Sequence, residues 1–73
     1  MKRIRLKPKS KKGKDRIHQH GEIWEIVREQ FFDGWPCFLI QSLENTIRQG
    51  NMLVKDLRLV RKQNDPNFEI EEV

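Results

Sequence analysis

The residue pattern predicts a mainly β protein. It would be a small antiparallel sheet of about four strands, with room for an SH3-like half-barrel, at most one short helix and a disordered basic N-terminal arm. Three observations carry this. Sizeable apolar residues are scarce before Ile17, β-branched and aromatic residues crowd the stretch from Ile23 to Ile40, and Asp33-Gly34 divides that stretch in two. With 73 residues the chain has length for one domain and one thin core, since a chain of this size buries only about 60% of its unfolded surface.

Residues 1–16 contain Lys2, Arg3, Arg5, Lys7, Lys9, Lys11, Lys12, Lys14 and Arg16 against Asp15 alone, a net +8 in a chain whose total is only +4. Beyond Met1, Ile4 and Leu6 are the only sizeable apolar side chains there, which is too little surface to offset the entropy of ordering the segment. The arm is therefore expected to be mobile, with a boundary near Ile17 and a small β-rich domain over 17–73. Deleting 1–16 is expected to leave every core residue in place.

In the body, Asp33-Gly34 is the dipeptide that tolerates positive φ in tight hairpin turns, so Phe32 should face Trp35, Arg28 should face Leu39 and Val27 should face Ile40. A helix competes for 22–32, because Ile23, Ile26, Val27 and Phe31 also share one helical face. The strand is preferred on composition and on the lack of a good N-cap before Glu22. Ser42 to Gln49 could form a helical turn or two, with Ser42 as N-cap and Gly50 just past the end. Leu57 to Lys62 and Phe68 to Glu71 read as two short strands around the turn-rich Asn64-Asp65-Pro66-Asn67. The expected core is Trp24, Ile26, Val27, Phe38, Ile40, Leu57, Leu59, Phe68 and Ile70, and one sheet edge should be open to docking.

The chain offers little for catalysis, and an enzyme is not expected. His18 and His20 have the H-x-H spacing that would put both rings on one face of a strand, a half-site for a metal, but two solvated histidines fit their basic surroundings better, and no metal or other cofactor is expected. Cys37 lies within an apolar run and reads as a buried, inert thiol. No glycine-rich phosphate loop is present. Binding is what remains. The nine basic residues of 1–16 suit a phosphate backbone of RNA or DNA, or else a tail that only aids solubility. Phe31, Phe32 and Trp35 beside the turn, with Arg58 and Arg61, form a candidate docking surface, and Trp24 and Trp35 could pack in the core or stack on bases. A single cysteine and the absence of an apolar run of roughly 18 residues suit a reducing cytoplasm and no membrane.

Three stretches carry a resemblance: the opening Met1-Lys-Arg-Ile-Arg-Leu-Lys-Pro-Lys, His20-Gly-Glu-Ile-Trp-Glu-Ile-Val-Arg, and Leu57-Arg-Leu-Val-Arg-Lys-Gln-Asn-Asp-Pro-Asn-Phe-Glu-Ile. With the chain length, they make it similar to the small RNA-polymerase-binding antitermination proteins of Xanthomonas bacteriophages. The resemblance implies a transcription regulator in the host cell cytoplasm. It would bind the N-terminal region of the polymerase β′ subunit near the RNA exit channel, inhibit initiation at host promoters and, with NusA, carry elongation through terminators. A monomer is expected. The other reading from the residues is a basic-armed nucleic-acid-binding protein with no polymerase partner.

Overall fold

Alternation decides the first strand. The computed structural model describes residues 2–73, so Met1 of the expected arm lies outside the described residues. In it Arg3–Pro8 form β1, with Ile4 and Leu6 almost fully buried while Arg3, Arg5 and Lys7 point the other way. Residues 2–16 are thus corrected from a disordered arm to a structural part of the domain, and the boundary near Ile17 falls inside a helix. Two apolar side chains suffice because a strand needs only every second residue to be apolar, and because β1 bonds to strands on both sides.

Lys11–His20 form the helix α1. Ser10 is its N-cap, with its hydroxyl accepting from the Gly13 N–H at 3.0 Å and donating to Asn67 Oδ1 at 2.8 Å. Gly21, at φ 87°, ends the helix by donating its N–H to the Ile17 carbonyl. Gly13 is buried because the helix crosses the backbone before the last strand. A Cβ there would lie 2.3 Å from the Asn67 carbonyl oxygen.

Ile23–Phe32 (β2) and Trp35–Gln49 (β3) form the expected hairpin, turning at Asp33 (φ 51°) and Gly34 (φ 80°), with Phe32 opposite Trp35 and Arg28 opposite Leu39. Ile40, however, faces Ile26. A bulge between Ile26 and Arg28 shifts the register by one and leaves Val27 exposed. The expected helix at 42–49 is also corrected: β3 continues to Gln49 and pairs with Met52–Arg61 (β4), and Gly50 (φ 57°) belongs to that hairpin turn. Instead of capping a helix, the Ser42 hydroxyl accepts from the Asp56 N–H and donates to the Glu44 carbonyl, both at 2.8 Å. Phe68–Glu72 (β5) completes one open antiparallel sheet of five strands in the order β4-β3-β2-β1-β5.

Val60 on β4 and Phe68 on β5 belong to opposite sheet edges, which in a flat five-stranded sheet would be about 19 Å apart. They share one core with Ile4, Leu6, Trp24 and Ile40, so the sheet curls around it. Trp24 is its largest buried side chain and donates its indole N–H to the Gly21 carbonyl at 2.9 Å. Ile17, Ile26, Phe38 and Ile70 pack at its margin. The expected core is corrected at three places: Val27 and Leu57 are exposed, and Leu59 is only half-buried and outside the cluster, the two leucines lying opposite Gln41 and Leu39 on the other face of the sheet from Ile40 and Val60.

Candidate functional site

The basic residues of the N-terminal segment divide into two groups. On β1 they are compensated: Arg3 pairs with Glu25, Arg5 with Glu22 and Lys7 with Glu71, the last at 2.8 Å. Glu25 lies directly opposite Arg3, whereas Glu71 lies opposite Arg5 and meets Lys7 diagonally, and Glu22 stands just before β2. The Lys7 hydrogen bond and charge hold the Glu71 carboxyl below its ordinary range, and Glu71 in turn raises the lysine. Glu25 is likewise lowered, first by the hydrogen bond from Gln41 and then by Lys55 and Arg3. Glu29 is lowered by its 2.6 Å hydrogen bond from Lys62.

The second group is uncompensated. Lys9, Lys11, Lys12, Lys14 and Arg16, on and just before α1, make no ion pair among the described residues. Only Asp15 opposes them locally. Lys12 and Arg16 are one helical turn apart and therefore share a face. With Arg58 of β4 they line a cleft of about 140 Å³ whose floor includes Gly13, Val60, Asn67 and Phe68.

Asp65 also borders this cleft, but its carboxylate is already engaged. One oxygen accepts from the N–H groups of Asn67 and Phe68 and the other from that of Arg61, which fixes the β4–β5 loop. Arg58 is steered by a 2.8 Å bond from its Nε to Asp56 Oδ2.

The docking residues foreseen together are therefore separated. Arg58 belongs to the helix cleft, whereas Arg61 stacks on Trp35 at the hairpin tip, 4.4 Å from the ring centroid. Phe31 and Phe32 precede that tip as consecutive residues of β2, on opposite faces of the strand, 77% and 61% exposed, and Trp35, opposite Phe32, is 39% exposed. Exposed aromatics beside a held guanidinium have the composition of a protein-binding hot spot.

His18 and His20 do not form a half-site, because they sit on a helix, where i and i+2 diverge. His18 is exposed. The largely buried His20 ring bonds Thr46 Oγ1 through Nδ1 at 2.7 Å, places Nε2 3.6 Å from Asp56 and meets Trp24 edge-on. No group of three or more potential metal ligands occurs among the described residues. Cys37 is buried and donates to the Trp35 carbonyl, as its apolar run suggested. No helix among the described residues is long and apolar enough to cross a membrane.

The His20–Asp56–Arg58 chain and the role of Arg58 beside α1 had no signal in the sequence, since neither follows from spacing. The shared face of Lys12 and Arg16 did. No protein-family model, curated protein or solved structure matches the chain.

Proposed function

We propose that this chain is a phage transcription regulator that binds host bacterial RNA polymerase at the N-terminal region of β′, near the RNA exit channel. There it inhibits initiation at host promoters and promotes antitermination, assisted by NusA. It acts by binding rather than catalysis, as a monomer in the host cytoplasm.

One observation supports the reading most. The surface offers two chemically distinct regions on one domain: an aromatic tip with Phe31, Phe32, Trp35 and Arg61, and the helix α1, whose Lys11, Lys12, Lys14 and Arg16, with Lys9 just before it, make no ion pair among the described residues. The tip has the character of a protein contact and the helix that of a polyanion contact. A factor seated where RNA leaves a polymerase needs both. A protein that bound only nucleic acid would use the same aromatics to stack bases, which the nuclease arm of the test distinguishes.

The test is retention of purified bacterial polymerase on the immobilised full-length chain in the presence of nuclease, followed by a terminator read-through assay. Retention and increased read-through are expected, with retention weakened at least tenfold by Trp35→Ala combined with Phe32→Ala. Loss of all retention once nucleic acid is digested would leave the nucleic-acid-binding reading in its place.

A further inference from the structure

The geometry points to the cleft between α1 and β4 as a site for the phosphodiester backbone of single-stranded nucleic acid, gripped by Lys12, Arg16 and Arg58. This deepens the reading above, on which its biological setting rests, but the site stands on its own geometry.

The first argument is the distribution of charge. Arg3, Arg5, Lys7, Lys55 and Lys62 each have a carboxylate partner, as does Arg58 within the cleft, so the uncompensated charge of the site is that of Lys12 and Arg16. Lys12 and Arg16 have neither an ion pair nor a hydrogen bond among the described residues, so binding an anion there breaks no internal contact.

The second is preorganisation. Arg58 is held by Asp56 through Nε alone, so the rest of its guanidinium fork is available to phosphate oxygens. The one acid at the rim, Asp65, is satisfied by three backbone N–H groups and does not compete for the cations. The site is made by side chains rather than by the end of α1, whose Gly13 N–H is taken by Ser10.

The third argument selects the ligand class. A lone phosphate would need only the cleft, but uncompensated Lys9, Lys11 and Lys14 continue the positive surface past Ser10, around a second shallow hollow. At about 100° per residue Lys11 and Lys14 stand on a different side of α1 from Lys12 and Arg16, so the cations wrap around the start of the helix, a spread that suits a chain of anions running over it rather than a single anion.

The experiment is fluorescence anisotropy of the full-length chain with a labelled single-stranded oligouridylate, repeated with an oligothymidylate, across a salt series. Lys12→Ala combined with Arg16→Ala should weaken binding at least tenfold and reduce the slope of log affinity against log salt by about 1.4, the value for two lost single-strand phosphate contacts. Arg3→Ala with Lys7→Ala removes the same charge from the paired group and should leave the slope unchanged. Lys12→Arg with Arg16→Lys, which keeps the charge, should restore it. Equal weakening by both alanine pairs would overturn the proposal, because the attraction would then be diffuse. So would unchanged binding by the Lys12/Arg16 pair. Preference for the uridylate selects RNA within the same site, and equal affinity selects the backbone alone. Polymerase retention under nuclease is scored separately, so wild-type protein that binds the oligonucleotide but not polymerase refutes the proposed function and leaves the cleft intact.

Discussion

Truncating Leu6 to alanine separates a buried strand from a basic tail more sharply than any other single change. Leu6 is 1% exposed, lies opposite Ile70 across the β1–β5 register and touches the common core. Leu→Ala at such a site costs about 2–5 kcal/mol from lost transfer energy and residual cavity. A chain of 73 residues has a total stability of about 4–11 kcal/mol, so the variant loses a large share of it. At about 4–8 °C per kcal/mol the thermal midpoint should fall by at least about 8 °C. The assay is urea and thermal unfolding followed by circular dichroism and the fluorescence of buried Trp24, with exposed Lys9→Ala as a control expected within about 0.5 kcal/mol of wild type. A Leu6→Ala midpoint equal to that of the control would refute the placement of β1. By the same logic, deleting 1–16 removes the one strand that pairs with β5 among the described residues and should prevent folding, the opposite of what a detachable arm would show.

Gly13→Ala should destabilise by about 1–3 kcal/mol in chemical denaturation, because the new methyl meets the fixed Asn67 carbonyl, whereas on a free helix it would stabilise by about 0.5–1 kcal/mol; a rise in stability would show that α1 does not dock there. Trp24→Ala should cost about 3–5 kcal/mol and leave a molten or unfolded chain, detected as loss of near-ultraviolet dichroism. Acid should destabilise the fold. Glu25, Glu29 and Glu71 have lowered folded values, so their contribution is complete above the unfolded value of 4.5 and is lost as pH falls through the lower folded values. Lys7 has the opposite sign, its contribution being lost only as pH rises through a value above 10.5. Thermal midpoints from neutral pH down to about pH 2 should show the acid loss, and replacing the three glutamates with glutamine should flatten it.

The β2–β3 hairpin could be read from the sequence because its information is local: two turn residues with positive φ and strands of β-forming side chains on either side. The bulge at Val27 could not, since the pattern of bulky residues fits either register and only packing of Ile26 against Ile40 in the curled core chooses between them. The N-terminal segment failed for a different reason. Composition shows Ile4 and Leu6 as sparse apolar residues in a basic segment, while their spacing of two, with Arg5 between and Arg3 and Lys7 outside, is the signature of a half-buried strand. The acids that neutralise those basic residues come from β2 and β5, far along the chain. As a result the cationic site contracts from the whole segment to α1, and Arg58 moves from the aromatic tip to the cleft.

The position of β1 also governs the order in which the molecule assembles. Strands β2, β3 and β4 follow one another through tight turns, so their pairing closes only short loops and can begin within microseconds. Leu6 and Ile70 are more than sixty positions apart, and their pairing must close nearly the whole chain before any contact compensates the lost entropy. The β2–β3–β4 meander should therefore form the nucleus, with β5 joining after the transition state. Mutations in the β2–β3 turn should slow folding, whereas those in β5 should mainly speed unfolding. Native-state hydrogen exchange would follow the same gradient, with amides of β5 opening before those shared by β2 and β3.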